Sequence, residues 1–509
     1  MPQWSGPALR ASVIDLGYNS LKMVSYDIRP DNSFRAFDQR GELTRIGEGL
    51  HQTGFLGQEP MERTLRALRL LDEANRLAGI NEVLAIATSP IREAGNGEEF
   101  LREVRSETGL KFRVLTGKEE ALFSYMGAAR STRFPDVLFF DLGGGSLELT
   151  RARNYRVKKI MSLPVGALRL TELYGGEEEG FGKDEYDSLR GRIEELLPAR
   201  DELGITDGTV LVGVGGTVRA LAKYDQWLND YPLNKLHNYV IRSKSITSIN
   251  KTLKRMSPSK ISKIEAMGKD RAESITAGGL VISLLMRRTG INQLVVSTHG
   301  LRDGILAEYL RDPSSYGSRP LDETRTNDSL RAWFGRRSGT EEFTRDLARR
   351  KIITEEQGLI LNEAIEGFLD VYLSTRAESM FYSILNEDSF LDHKDQVELA
   401  LAFVRAKAPK TSNWFFARYK SILRDRTKES VDKLAAFIQL AEILEMTHAQ
   451  ARVKLRGGRL NFIIKSPRKD LPVLLMEQAA RELTEATSLR VGIITDRRQA
   501  EPVSQVVGR

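Results

Sequence analysis

Residues Val13–Val24 read VIDLGYNSLKMV, and residues Phe139–Thr150 read FFDLGGGSLELT. Laid over one another, Asp15, Leu16, Gly17, Ser20 and Leu21 match Asp141, Leu142, Gly143, Ser146 and Leu147, each pair 126 residues apart. In both stretches an apolar run ends in Asp, turns sharply through glycine and resumes, which is the pattern of a β-hairpin. Glycine at such a tip permits positive φ and close approach of the backbone. Successive amide N–H groups there can converge on one anion, and the serine hydroxyl adds a donor. The Asp repels a phosphate, so its place is beside a metal ion or a water. A single Asp-x-Gly-x-x-Ser is explained by an ordinary Asx turn. Two copies at one offset, both after apolar runs, read as a pair of phosphate-and-metal loops.

Strand-like and helix-like runs alternate around these hairpins. Pro60–Leu77 carries Leu65, Leu68, Leu71 and Ala74 at helical spacing, and Val83–Ala87 is a short buried strand running into Thr88. Val210–Val214 leads into Gly215-Gly216-Thr217, and Leu294–Ser297 into Thr298-His299-Gly300, each followed by a helical pattern. The alternation predicts an α/β architecture with two related lobes, at 1–130 and 131–315. Beyond Pro320 the pattern is helical, with runs at Leu359–Tyr372, Gln396–Ala406 and Ser430–Met446, and a helical domain is expected over 316–450. Strand-like runs return from Val453, predicting a small α+β domain over 451–509.

The chain has 509 residues, a net charge of +7 and no cysteine. Its length has room for about three or four domains. Disulfides, thiolate metal sites and cysteine nucleophiles are excluded. The five histidines show neither H-x-x-H nor H-E-x-x-H spacing, which argues against a histidine metal site. The positive charge favours polyanionic partners. No run approaches the ~20 apolar residues of a membrane span, and the first residues lack the basic and apolar regions of a secretory leader. A cytoplasmic protein without a membrane partner is expected.

Three further places carry chemistry. In LTGKEEALFSYMGAA, Thr116 and Glu119 have capping-box spacing, which leaves Glu120 free of that duty. A glutamate at a phosphate cleft can orient or deprotonate a water; read alone it is a solvated helix residue. Arg92 follows the strand that ends at Thr88, and strand ends are where α/β sheets bind ligands. Its planar fork suits phosphate oxygens. Gly215, Gly216 and Thr217 form another Gly-led turn, equally suited to a plain helix start.

DLGYNS and DLGGGS resemble the phosphate loops of the actin-like, RNase H-like ATPase superfamily. With ATSPIREA, GKEEA, GVGGTVRALA, RAESITAGG and STHGLRDGIL in order, residues 12–310 resemble the exopolyphosphatase / guanosine pentaphosphate phosphohydrolase family. The resemblance implies two actin-like lobes and release of terminal phosphate from inorganic polyphosphate or from guanosine pentaphosphate. It implies Mg²⁺, or another divalent cation, as cofactor and a homodimer as assembly, with no nucleic-acid partner. Glu120 would position the attacking water, and Asp141 and Glu148 would hold the metal. Asn19, Ser20, Arg92, Gly144, Gly145 and Ser146 would hold the phosphoryl group, with Asp15 on the first loop. Tyr18 departs from the pattern: most members carry Ser or Thr there, and a ring at this point is expected to reshape the cleft mouth. The helical region resembles the family's domain related to HD phosphohydrolases. It lacks any His-Asp dipeptide, offering only Asp392-His393 in reverse, so a structural or polyphosphate-binding role is expected. Functions of other classes are an ATP-dependent actin-fold kinase or chaperone, and a binding regulator without catalysis. Retention of Glu120, Asp141 and Glu148 argues against the regulator.

Overall fold

The computed structural model describes residues 9–30, 34–175, 181–313, 320–334, 339–369, 376–447, 449–465 and 472–495. Residues 1–8, on which the reading of a missing leader rests, and His448 lie outside the described residues. The chain divides into two compact units, Met1–Gly335 and Arg336–Arg509.

The first unit holds two sheets. One is built from β1 (Leu9–Leu16), β2 (Leu21–Ile28), β3 (Phe34–Glu42), β4 (Glu82–Ala87) and β5 (Arg113–Val114), in the order β3-β2-β1-β4-β5. The other is built from β6 (Asp136–Leu142), β7 (Leu147–Arg153), β8 (Arg156–Leu163), β9 (Val210–Val214), β10 (Val240–Arg242) and β11 (Gln293–Val296), in the order β10-β11-β9-β6-β7-β8. The sheets repeat one plan. Three antiparallel strands come first, and the fourth strand then pairs parallel with the first: β4 on β1, β9 on β6. Parallel pairing of this kind needs a crossover, which the intervening helices supply.

The duplicated sequence folds into duplicated hairpins. Leu16 pairs with Leu21 and Leu142 with Leu147. Gly17 N donates to Ser20 O at 3.1 Å, and Gly143 N to Ser146 O at 3.0 Å. One step back in the register, Asp15 faces Lys22 and Asp141 faces Glu148. A central strand covered on both faces reads as a continuous apolar run, and Ser12–Ile14 of β1 and Val137–Phe140 of β6 are accordingly buried without interruption.

Between the sheets lies helix Gly117–Thr132, buried over most of its circumference. Leu122, Tyr125 and Met126 share one core with Val13 and Val24 of the first sheet and Phe139 and Val212 of the second. Helix Leu301–Arg311 crosses it at a pair of glycines. A Cβ on Gly127 would run into the backbone of Gly300, and one on Gly304 into the carbonyl of Phe123. The backbones touch here, so neither helix can carry a side chain at the crossing. Gly304→Ala is expected to destabilise the protein by about 3 kcal/mol. Gly191→Ala, on helix Lys183–Leu196 with open space around it, is expected to stabilise by up to about 1 kcal/mol. Urea unfolding of the two variants measures both.

In the second unit the helices include Glu355–Glu363, Ala377–Asn386, His393–Lys407 and Lys428–Met446. The helix read across Leu359–Tyr372 changes to a π-turn at Ala364–Phe368, and its end lies outside the described residues. Asp392 has a local duty: it N-caps helix His393–Lys407 by accepting from Asp395 N at 2.8 Å. β12 (Gln450–Arg456), β13 (Arg459–Lys465) and β14 (Arg490–Thr495) form a sheet in that order, with helix Val473–Thr487 between the last two strands in sequence. Among the described residues no helix is long and apolar enough to cross a membrane.

Candidate active site

The two hairpin tips line one cleft of about 140 Å³. Its second loop is shaped by helix Ala167–Tyr174, whose first residues use their amides on the loop's carbonyls. Ala167 N donates to Gly143 O at 3.0 Å, and Leu168 N and Arg169 N both donate to Gly144 O at 2.9 Å. Because the C=O and N–H of a trans peptide point in opposite directions, the amides that follow, on Gly144 and Gly145, are turned away from this helix. Gly166 makes the contact feasible, since a Cβ there would enter the backbone of Gly145.

Glu120 stands in the first turn of helix Gly117–Thr132. Its neighbour Glu119 is occupied by the capping box: Thr116 N donates to Glu119 Oε2 at 3.1 Å, and Glu119 N to Thr116 Oγ1 at 3.2 Å. Glu120 instead lines the cleft and is 9% exposed. The short helix Ser89–Glu93, which begins where β4 ends, delivers Arg92, whose Nη1 donates to Leu115 O at 2.6 Å and meets Glu120 Oε2 at 3.3 Å. Asp141 Oδ2 accepts from Ser124 Oγ at 2.7 Å, and Glu148 Oε1 from Ser162 Oγ at 2.9 Å.

These carboxyl groups disturb one another. Burial, then the Glu148 charge, and then Asp141 and Asp15 push Glu120 well above the usual carboxylate range, against the pull of Arg92. Glu148 is pushed up to about 7 by burial and by Asp141, with the Ser146 and Ser162 hydroxyls opposing. Asp15 and Asp141 are raised as well, in each case chiefly by burial. Arg302 and Lys22 oppose the rise in Asp15, and Arg219 and Lys22 that in Asp141, without cancelling it.

The same cleft carries an opposing set of cations. Lys22, Arg219, Arg271 and Arg302 all line it. Burial, together with Arg219 and Arg302, brings the Lys22 ammonium down to about 7. Burial lowers Arg219 and Arg271 too. Among the described residues, the buried Arg302 Nη1 makes no hydrogen bond. A buried guanidinium nitrogen without a partner is costly, and an anion in the cleft would supply the missing acceptor.

Of the residues singled out from the sequence, Asp15, Asn19, Ser20, Thr88, Glu120, Asp141, Gly144, Gly145, Ser146, Gly215, Gly216 and Thr217 all line the cleft. Arg92 and Glu148 do not; they stand one contact behind it, beside Glu120 and Asp141. The sequence assigns none of the four cations to the site, although Gly300-Leu301-Arg302 stands out as a Gly-led turn after a strand. Lys22 carries a readable signal, being the counterpart of Glu148 at the same offset of 126 residues. Arg219 and Arg302 each lie just past a Gly-led turn after a strand.

The sequence profile described as the Ppx/GppA phosphatase family matches residues 27–312. Exopolyphosphatase 1 of Mycobacterium tuberculosis is 25% identical over 331 residues, covering 64% of this chain and 94% of that protein. The bifunctional 3-dehydroquinate synthase/phosphatase of Fusobacterium nucleatum is 27% identical over 312 residues, 59% of this chain; the match spans 46% of that longer protein. Among solved structures, the Aquifex aeolicus member of the Ppx/GppA family superposes with a TM-score of 0.50 at 28% identity, over 60% of this chain and 98% of that one. An exopolyphosphatase from Cytophaga hutchinsonii, 22% identical, shares the fold with a TM-score of 0.56 over 59% of this chain and 98% of its own. Matching over more than half its length and built on paired actin-like lobes, the chain belongs to the Ppx/GppA phosphatase family.

Proposed function

We propose that the protein is an exopolyphosphatase, releasing terminal orthophosphate from inorganic polyphosphate by attack of water. The observation that carries this reading is the make-up of one small cleft: the two matching hairpin loops, the carboxylates Asp15, Glu120 and Asp141, and the cations Lys22, Arg219, Arg271 and Arg302 all line it. A ligand that is anionic along its length satisfies the cations, and its terminal phosphoryl group reaches the loops. The name borne by the mycobacterial relative supports the same chemistry.

The donor set fits a divalent cation such as Mg²⁺: Asp15 acts against the charge on Asp141 and Asp141 against that on Glu148, and an ion among them would relieve both. Asp141 and Glu148 would hold it, with Asp15 across the cleft. When bound, such an ion neutralises charge on the phosphoryl oxygens. The protein's own residues do the rest. Loop amides and the hydroxyls of Ser20 and Ser146 fix the terminal phosphoryl group. Glu120, its carboxylate steadied by Arg92, orients a water in line and takes its proton. The new P–O bond forms as the bridging P–O bond breaks, and the shortened chain leaves with its charge held by the cation set. Phosphoryl transfer asks for little more than positioning and charge stabilisation.

The helical part of the second unit is read as an HD-related domain without its metal. The buried guanidinium of Arg426 stands among carboxylates, 2.6 Å from Asp395, 2.7 Å from Glu398 and 2.8 Å from Glu356. A fixed organic cation already balances these acids.

Phosphate release from long-chain polyphosphate, guanosine pentaphosphate and ATP, compared at equal phosphoryl concentration, tests the reading. Polyphosphate is expected to give the highest kcat/KM. Far faster cleavage of the pentaphosphate would replace the polyphosphate reading with the nucleotide one, and transfer from ATP to an acceptor would make the protein a kinase.

A further inference from the structure

Tyr18 occupies the first loop where Gly144 occupies the second. Its side chain is 4% exposed and leaves its own lobe. The hydroxyl donates to Glu172 Oε2 at 2.8 Å, on helix Ala167–Tyr174 of the second lobe. The ring stacks on His51, with centroids 5.5 Å apart and planes 9° from parallel. His51 in turn accepts from Arg169 Nε at 2.7 Å, and Arg169 is paired with Glu93. First-lobe residues Tyr18, His51 and Glu93 are thus joined to second-lobe residues Glu172 and Arg169 in one continuous belt. Burial and the Arg169 charge bring His51 down to about 4, so at neutral pH its ring is uncharged and can accept that bond.

The ring also lies against the backbone of both jaws. A Cβ on Gly145 would sit 2.8 Å from Tyr18 Cδ2, and one on Gly144 would sit 3.1 Å from Tyr18 Cβ. Gly47, whose N donates to Tyr18 O at 3.1 Å, presses on the ring so closely that a Cβ there would overlap it. A residue with Ser or Thr size at position 18 reaches neither Glu172 nor His51. The width of the gap between the two phosphate loops is therefore filled by one aromatic ring, held at its tip by a hydrogen bond to a carboxylate.

We infer that Tyr18 is a positioning residue that latches the two lobes together and presets the slot for a terminal phosphoryl group. This inference rests on the proposed polyphosphate hydrolysis for its kinetic consequence, though not for its structural one. With the latch, closure precedes binding. Without it, substrate must close the lobes, and that cost falls on apparent affinity.

The test uses the full chain, which has no cysteine of its own. Spin labels on Glu103→Cys and Lys251→Cys, both exposed and one on each lobe, report the interlobe distance without ligand. The unmodified latch is expected to give one narrow distribution. Tyr18→Ser is expected to add a longer, broader population and to raise KM for polyphosphate about tenfold while kcat changes less than threefold. Tyr18→Phe keeps the ring and loses the bond to Glu172, and its closed-to-open ratio is expected to fall about tenfold. An unchanged distance distribution in Tyr18→Ser would overturn the latch, as would a fall in kcat with KM constant. Should Tyr18→Ser not fold, as its melting curve would show, Tyr18→Phe and Glu172→Gln decide: a wild-type distribution in both removes the inference. Should the wild-type protein leave polyphosphate intact, the functional reading fails while the distance measurement still judges the latch.

Discussion

Glu120→Gln is expected to lower phosphate release by about a thousandfold, within the range that removal of a positioned general base produces, while polyphosphate binding is kept or tightened. The substitution is nearly isosteric. A glutamine oxygen at the same point can still accept from Arg92 Nη1, which lies 3.3 Å from Glu120 Oε2, so the placement of the side chain need not change. What is lost is the capacity to take a proton. What is gained is relief: one negative charge disappears from a cleft where Glu148, Asp141 and Asp15 already oppose it, and an incoming polyanion meets less repulsion. Turnover and binding should therefore move in opposite directions. Phosphate release and equilibrium binding of a labelled polyphosphate measure the two separately. Unchanged turnover would strip Glu120 of its role; loss of both would make it a structural residue.

Local chemistry is what the sequence exposes. The hairpins were legible because their signal is local: an apolar strand, a turn residue and a register that needs no distant partner. Duplication made the signal stronger, and Asp15 and Asp141 came with it. Glu120 was separated from Glu119 by capping chemistry, which spans four residues. The cations obey no such local rule. Arg219, Arg271 and Arg302 stand on three different helical or turn segments, and only the packing of those segments gathers them at one cleft. Strand β3 left little pattern because it is an exposed edge, so neither face carries the alternation that burial imposes. Tyr18 could be marked as a departure from sequence alone. That its hydroxyl reaches Glu172, 154 positions away, follows only from the packing of one lobe on the other.

Asp141→Asn is expected to cost at least about a hundredfold in phosphate release and, at the same time, to make the metal-free protein more stable near neutral pH. The two effects have one cause. Asp141 is half-buried, hydrogen-bonded to Ser124 and opposite Glu148 in the register, and its charge raises the proton affinity of Glu148. A carboxyl whose folded pKa lies above its unfolded value holds protons in the native state that the unfolded chain has already released. Stability therefore falls as pH rises between the two values, for Glu148 from about 4.5 to about 7. The metal-free wild type should melt lower at pH 7.5 than at pH 5 through this pair. A divalent cation held by Asp141 and Glu148 would favour their ionised forms, so the gain in melting temperature on adding Mg²⁺ should be larger at pH 7.5. In Asp141→Asn the amide oxygen can still accept from Ser124, yet the repulsion on Glu148 is gone. Its pKa should drop towards the ordinary range, the metal-free melting temperature at pH 7.5 should rise, and the Mg²⁺-dependent gain should shrink. A variant that loses activity but keeps the full Mg²⁺-dependent gain would remove Asp141 from the ligand set, leaving it a role in orienting the second loop through Ser124.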